Sequence, residues 1–183
     1  MKYISTRGRV SGLSFCEAVS MGLGSDGGLL VPERIPFIGR NIRDFSGTSY
    51  SELAFEIFKL YIDDITELDL RKIVDKSYSN FSDPKVTPLV KVDEDYILEL
   101  FHGPTLAFKD IALQFLGNVF EHILNQQNTF LNVLGATSGD TGSAAIAGLK
   151  GKKNINVFIM FPEGRTSSVQ EKQMTTVMDS NIH

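Results

Sequence analysis

The chain has 183 residues, with 22 acidic and 18 basic side chains for a formal net charge of -4, and 42% of its residues are apolar. That is enough for one good core or two small ones. The acidic balance lacks the basic footprint that a phosphate backbone calls for, which excludes nucleic acid as a partner. A single cysteine, Cys16, excludes an intrachain disulfide, a Cys-rich zinc pattern and a Cys-x-x-Cys redox motif.

Met1-Lys-Tyr-Ile-Ser-Thr-Arg-Gly8 has no apolar core of the signal-peptide kind, and no apolar run is long enough to span a bilayer, so a cytoplasmic protein without membrane contact is expected. The chain then begins with a short strand at Tyr3 to Thr6 and a helix around Ser14 to Met21. The turn-rich stretch Gly22 to Gly28 precedes Leu29-Leu-Val-Pro32, where Asp26-Gly-Gly28 is a strong turn signal. Ser49 or Ser51 opens a helix with Leu53, Ala54, Ile57, Phe58 and Tyr61 at helical spacing. Thr66 with Asp69 resembles a capping box for a second helix, which runs to about Tyr78 and buries Leu70, Ile73 and Val74. Phe81-Ser-Asp-Pro84 reads as a linker, dividing a mostly helical domain at 1–83 from an α/β domain at 84–183.

The second part opens with a hairpin, Pro88 to Val92 and Tyr96 to Phe101, around Asp93-Glu-Asp95. Gly103-Pro104 breaks the strand, and Thr105 is placed to cap a helix with Lys109 in its first turn. Along that helix Ile111, Ala112, Phe115, Leu116, Val119, Phe120 and Ile123 form an apolar stripe, with Asp110, Gln114, Asn118, Glu121 and His122 opposite. His122 is expected on a wet face. Phe130 to Leu134 reads as a strand, Gly142 to Leu149 as a small-residue helix, and Ile155 to Phe161 as a more buried strand. Strand, helix and strand at this spacing describe a parallel crossover, so the fold class is α/β, a largely parallel sheet flanked by helices. Lys150-Gly-Lys-Lys153 reads first as a solvated turn and second as an anion-steering patch. The three histidines, at 102, 122 and 183, show no metal-ligand spacing.

Two features carry chemistry. At the start of its helix Lys109 meets unpaired N–H groups and the macrodipole, which disfavour an ammonium, and burial beside Ala107 and Phe108 pushes the same way. A neutral amine is a nucleophile able to form a Schiff base. Asp110 opposes this unless it points away, and an ordinary, partly exposed lysine fits the same features. The second feature is Gly135-Ala-Thr-Ser-Gly-Asp-Thr-Gly142, between a strand and a helix. Converging backbone N–H groups, the hydroxyls of Thr137, Ser138 and Thr141, and the helix start suit a carboxylate or phosphate. Asp140 repels an anion unless it turns outward or is paired, and a plain polar turn capped by Asp140 is the other reading. The loop is neither a nucleotide P-loop, a dinucleotide fingerprint nor a hydrolase elbow. Together, an amine and an anion seat are what a pyridoxal-phosphate enzyme acting on amino acids needs.

The segments Ser5-Thr-Arg-Gly8, Gly22 to Pro32, Glu99 to Asp110 and Gly135 to Gly142 resemble, in order, those of the threonine synthase family of the longer bacterial and fungal type. The likeness spans nearly the whole chain. It implies a partial tryptophan-synthase β-like fold, pyridoxal 5'-phosphate as cofactor, and conversion of O-phospho-L-homoserine and water into L-threonine and phosphate. By matching position it makes Lys109 the Schiff-base and acid/base lysine, with Phe108 beside the cofactor. Thr137, Ser138, Gly139, Asp140, Thr141 and Gly142 would line the phosphorylated amino-acid substrate. Family members are considerably longer, so an N-terminal fragment with weak cofactor binding and little turnover is expected. Asn181-Ile-His183 reads like the start of another strand. A serine or threonine dehydratase on the same fold, and a noncatalytic module binding phospho-amino acids, are the alternative readings.

Overall fold

A computed structural model describes residues 1–39 and 41–183. It divides into two units, Met1–Val74 and Asp75–His183.

In the first unit β1 (Tyr3–Ser5) pairs antiparallel with β2 (Leu30–Pro32), Tyr3 opposite Pro32 and Ser5 opposite Leu30. Between them lies α1 (Phe15–Met21), opened by a capping box in which Ser14 Oγ accepts from Glu17 N and the Glu17 carboxylate accepts from Ser14 N at 2.8 Å. The Asp26 carboxylate joins the two glycine-rich segments, accepting from Ser5 Oγ at 2.7 Å and from the N–H groups of Gly28 and Arg9 at 3.0 Å. The Ser5 hydrogen bond, with those of Gly28 and Arg9 behind it, holds this carboxyl below the usual range.

Ser49 caps α2 (Tyr50–Phe58). Its buried residues are Ala54 and Phe55, whereas Leu53 is 37% exposed. Phe55, outside the expected stripe, is thus buried where Leu53 is not; the Arg71 guanidinium stands 4.0 Å from the Phe55 ring and pairs with Glu52 at 2.5 Å. In α3 (Glu67–Tyr78) the expected Leu70, Ile73 and Val74 are buried, and Thr66 accepts from Asp69 N while donating to its carboxylate at 2.8 Å.

In the second unit the end of α3 is followed by the hairpin β3 (Leu89–Val92) and β4 (Asp95–Leu98), which stops three residues short of the expected Phe101. Next come α4 (Lys109–Gln127), β5 (Leu131–Ala136), α5 (Asp140–Leu149) and β6 (Ile155–Met160), with α6 (Ser168–Thr175) after them. β5 and β6 run parallel from Leu131↔Ile155 to Ala136↔Met160. Asn181 and His183 bond to Val157 on the other edge of β6, both at 2.8 Å, so Ile182 forms a single parallel bridge to Val157. Leu124, Leu149, Ile155 and Val157 form the core between this sheet and its helices.

The polar side of α4 departs from expectation. Asp110, Gln114 and Asn118 are buried along with Val119 and Ile123, while Ala112 is exposed. Around Gln114 and Asn118, α4 and α5 approach closely at two glycines: a Cβ on Gly148 would stand 2.5 Å from the Leu113 carbonyl oxygen. Asn118, enclosed there, donates to Ser77 Oγ at 2.9 Å and accepts from Lys152 Nζ at 2.6 Å. Lys152 is accordingly not a solvated turn residue; only 10% of its side chain is exposed, and burial lowers its pKa against the opposing pull of Glu121. His122 is half-buried rather than wet, and its Nε2 has no partner among the described residues. No helix among the described residues is long and apolar enough to cross a membrane.

Candidate active site

α4 starts at Lys109, and no side chain caps it. Thr105, expected as the cap, takes the reverse role: its N–H and hydroxyl donate to the Asp110 carboxylate at 2.8 and 2.7 Å, and Ala107 N donates to the same group at 3.4 Å. Asp110 is fully buried. Its carboxylate therefore points back into the 103–107 loop, where its hydrogen-bond partners are Thr105 and Ala107 and not Lys109. Gly103 makes room for it, since a Cβ there would stand 2.5 Å from Asp110 Oδ2. Leu106 within the loop holds a left-handed φ of 61°, a costly backbone for a leucine that the Asp110 bonds hold in place. Lys109 Nζ lies 5.3 Å from the Phe108 ring centre, and Phe108 is exposed. His102 bonds to Glu99 at 2.7 Å and faces Ser82 at 3.3 Å.

The glycine and hydroxyl loop follows β5 directly. Thr137 Oγ1 accepts from the N–H groups of Gly139 and Gly142, both at 3.3 Å, so this hydroxyl oxygen organises the loop's backbone. Gly142 N also bonds to Gly139 O, and Ser143 N follows at 3.3 Å. Gly142 is buried; a Cβ there would meet Met174 Sδ at 2.7 Å. Ser138, Asp140 and Thr141 are exposed, and the N–H groups of Asp140 and Thr141 are the first two of α5, which an α-helix leaves without internal partners. Asp140 is paired: Gln170 Nε2 donates to its Oδ1.

Phe108, Lys109, Ile111, Ala112, Leu113 and Thr141 line one open cleft of about 450 Å³. The start of α4 and the start of α5 thus contribute to a single concavity, whose walls are largely apolar. Thr137, Gly139 and Gly142 stand behind this surface as supports of the loop. Two further residues escape sequence reasoning: Gln170 on Asp140, and Gln173, whose Nε2 donates to Thr105 O at 3.2 Å. The Ser167-x-x-Gln170 spacing signals a helix start, and Ser167 does cap α6, but it carries no sign of what the glutamines reach.

A parallel β5–β6 pair, with a glycine-rich loop leading into α5 and a lysine at the start of α4, defines a mixed α/β protein. Residues 2–78 match the family model described as threonine synthase N terminus. Threonine synthase from Schizosaccharomyces pombe is 52% identical across 100% of this chain and 38% of its own length, and that from Pseudomonas aeruginosa 46% identical across 100% and 40%. The crystal structure of pyridoxal-phosphate-bound threonine synthase from Brucella melitensis superposes with a TM-score of 0.94 at 44% identity, covering 100% of this chain and 40% of that one. The yeast threonine synthase structure gives 0.92 at 48%. Along its whole length the chain matches the N-terminal portion of threonine synthases, and it spans about two-fifths of the length of these relatives.

Proposed function

We propose that this chain carries the lysine-bearing part of a pyridoxal-phosphate-dependent threonine synthase, a cytoplasmic lyase that converts O-phospho-L-homoserine and water into L-threonine and phosphate. The supporting observation is the cleft that Lys109 and Thr141 both line, together with Phe108, Ile111 and Leu113. A planar aromatic aldehyde fits such walls, and an amine at the rim is the group that would hold it. The cofactor, when bound, supplies an electron sink for proton removal next to the substrate amine.

The chain's own residues have separable roles. Lys109 Nζ holds the cofactor and moves protons at the substrate carbons, and Phe108 forms the adjoining wall. The N–H groups and hydroxyls of Ser138 and Thr141 bind the substrate's anionic groups, with Gly139 and Asp140 shaping their approach and Thr137 and Gly142 supporting the turn. All of these residues lie in 84–183, the part we assign as the functional α/β domain. The test is covalent capture: the chain is incubated with pyridoxal phosphate, reduced with borohydride and mapped by peptide mass spectrometry. Attachment is expected at Lys109 and lost in Lys109→Ala, with little threonine formed by the 183 residues alone; preferential labelling of other lysines would overturn the assignment.

A further inference from the structure

Asp140 poses a problem for an anion seat. It is the first residue of α5, where a carboxylate suits the helix dipole but opposes any incoming phosphate or carboxylate. α6 supplies the answer. Gln170 Nε2 donates to Asp140 Oδ1, and the orientation of the amide is set from its other side, because Ser167 Oγ donates to Gln170 Oε1 at 2.9 Å. Its amide lies against Gly139: a Cβ at that position would stand 2.7 Å from both Cδ and Nε2 of Gln170. Gly139 is thus open on the side where Gln170 sits, so the small residue serves the glutamine. Three residues on and on the same helix face, Gln173 Nε2 donates to the Thr105 carbonyl in the loop that Asp110 holds beside Lys109. The buried Met174, in contact range of Gly142, seats the helix between these two attachments.

We infer that α6 is a brace joining the lysine loop to the glycine loop, in which Gln170 is a positioning residue that turns Asp140 aside and so permits a phosphorylated amino acid to be bound at Ser138 and Thr141, while Gln173 positions the loop before Lys109. The inference rests on the proposed reading of the glycine loop as the substrate's anion site. A donor at 170 is what matters. Lysine there keeps a donor for Asp140, alanine removes it, and glutamate sets a second carboxylate beside the first. Affinity for a dianionic ligand therefore follows the order lysine at least equal to glutamine, then alanine, then glutamate. Roughly tenfold separates glutamine from alanine, the factor one charge-assisted hydrogen bond commands.

The 183-residue chain and its Gln170→Lys, Gln170→Ala, Gln170→Glu and Gln173→Ala variants are titrated with O-phospho-L-homoserine, reading the amide resonances of Asp140 and Thr141. Covalent capture of pyridoxal phosphate at Lys109 is measured in parallel. The expected result is the stated order at position 170 with capture at Lys109 unchanged, and the reverse for Gln173→Ala, which loses capture and retains the amide shifts. In an Asp140→Asn background the Gln170→Glu penalty disappears. Equal affinity across position 170, or a lysine variant no better than alanine, overturns the inference while the anion site stands. Absence of Asp140 and Thr141 shifts in the parent chain refutes the anion site, and the inference with it.

Discussion

Replacing Asp110 by alanine removes the acceptor that organises the loop before Lys109. The carboxylate receives two short hydrogen bonds, from Thr105 N at 2.8 Å and Thr105 Oγ1 at 2.7 Å, and a longer one from Ala107 N at 3.4 Å. A hydrogen bond to a charged group contributes about 1.5–3 kcal/mol; with Thr105 half-buried and open in part to water, the low end applies to the two short bonds, for a loss of about 3 kcal/mol. For a chain of this size that lowers the melting temperature by about 6–12 °C. Asp110→Asn keeps the shape and one acceptor oxygen but turns an amide N–H₂ toward a donor, so about half the loss is expected. Urea unfolding followed by circular dichroism measures both, with an unchanged dependence on denaturant showing that the native state is otherwise intact. An Asp110→Ala chain within about 0.5 kcal/mol of the parent, the usual range for a surface change, would refute this account of the loop.

Two predictions concern titratable groups away from the cleft. Burial would raise the Glu121 carboxyl, but hydrogen bonds and charge from Lys76 at 2.8 Å and Lys152 at 3.3 Å outweigh it and leave the pKa below its ordinary 4.5. A carboxyl depressed in the folded state stabilises the fold above its unfolded pKa and loses that contribution as pH falls through the folded value. Glu121→Gln is therefore expected to flatten the acid limb of stability against pH below 4.5, and an unchanged limb in urea midpoints measured across that range would count against the pairing. Burial first, and then the neighbouring Asp64 carboxylate, push the Cys16 thiol up to about 12. At pH 8 its alkylation by iodoacetamide is expected to be roughly fiftyfold slower than that of the unfolded chain, after allowing for the higher nucleophilicity of a more basic thiolate. Equal rates in the native and urea-unfolded chain would show the thiol to be free.

Much of the secondary structure was legible because its causes are local. Ser14, Ser49 and Thr66 stand at helix starts where hydroxyl caps belong, and Leu70, Ile73 and Val74 recur at helical spacing and are buried. The hairpin around Asp93 and the β5–α5–β6 crossover follow from strand-forming runs separated by turn residues. Local pattern failed where a distant partner competed. Thr105 has the chemistry of a cap, but Asp110 carries a charge and accepts three donors, so the acceptor role went to the carboxylate and the hydroxyl became a donor. The α4 pattern is amphipathic by composition, but small residues at Gly117 and Gly148 admit a second helix on its polar side.

The sequence by itself determined the α/β class, the order of the main elements as far as β6 but not α6, and the presence of a lysine at one helix start and a glycine and hydroxyl loop at another. Periodicity, capping and turn chemistry act within a few residues of their cause, so one dimension suffices to read them. Only the tertiary structure decided that Lys109 and Thr141 line one cleft, that the Asp110 carboxylate turns into the 103–107 loop, and that α6 touches both loops. Gln170 reaches Asp140 across 30 residues of chain and Gln173 reaches Thr105 across 68. Side chains so far apart in sequence acquire partners only when packing of the intervening elements fixes where each helix lies, and a glutamine's spacing carries no record of that outcome.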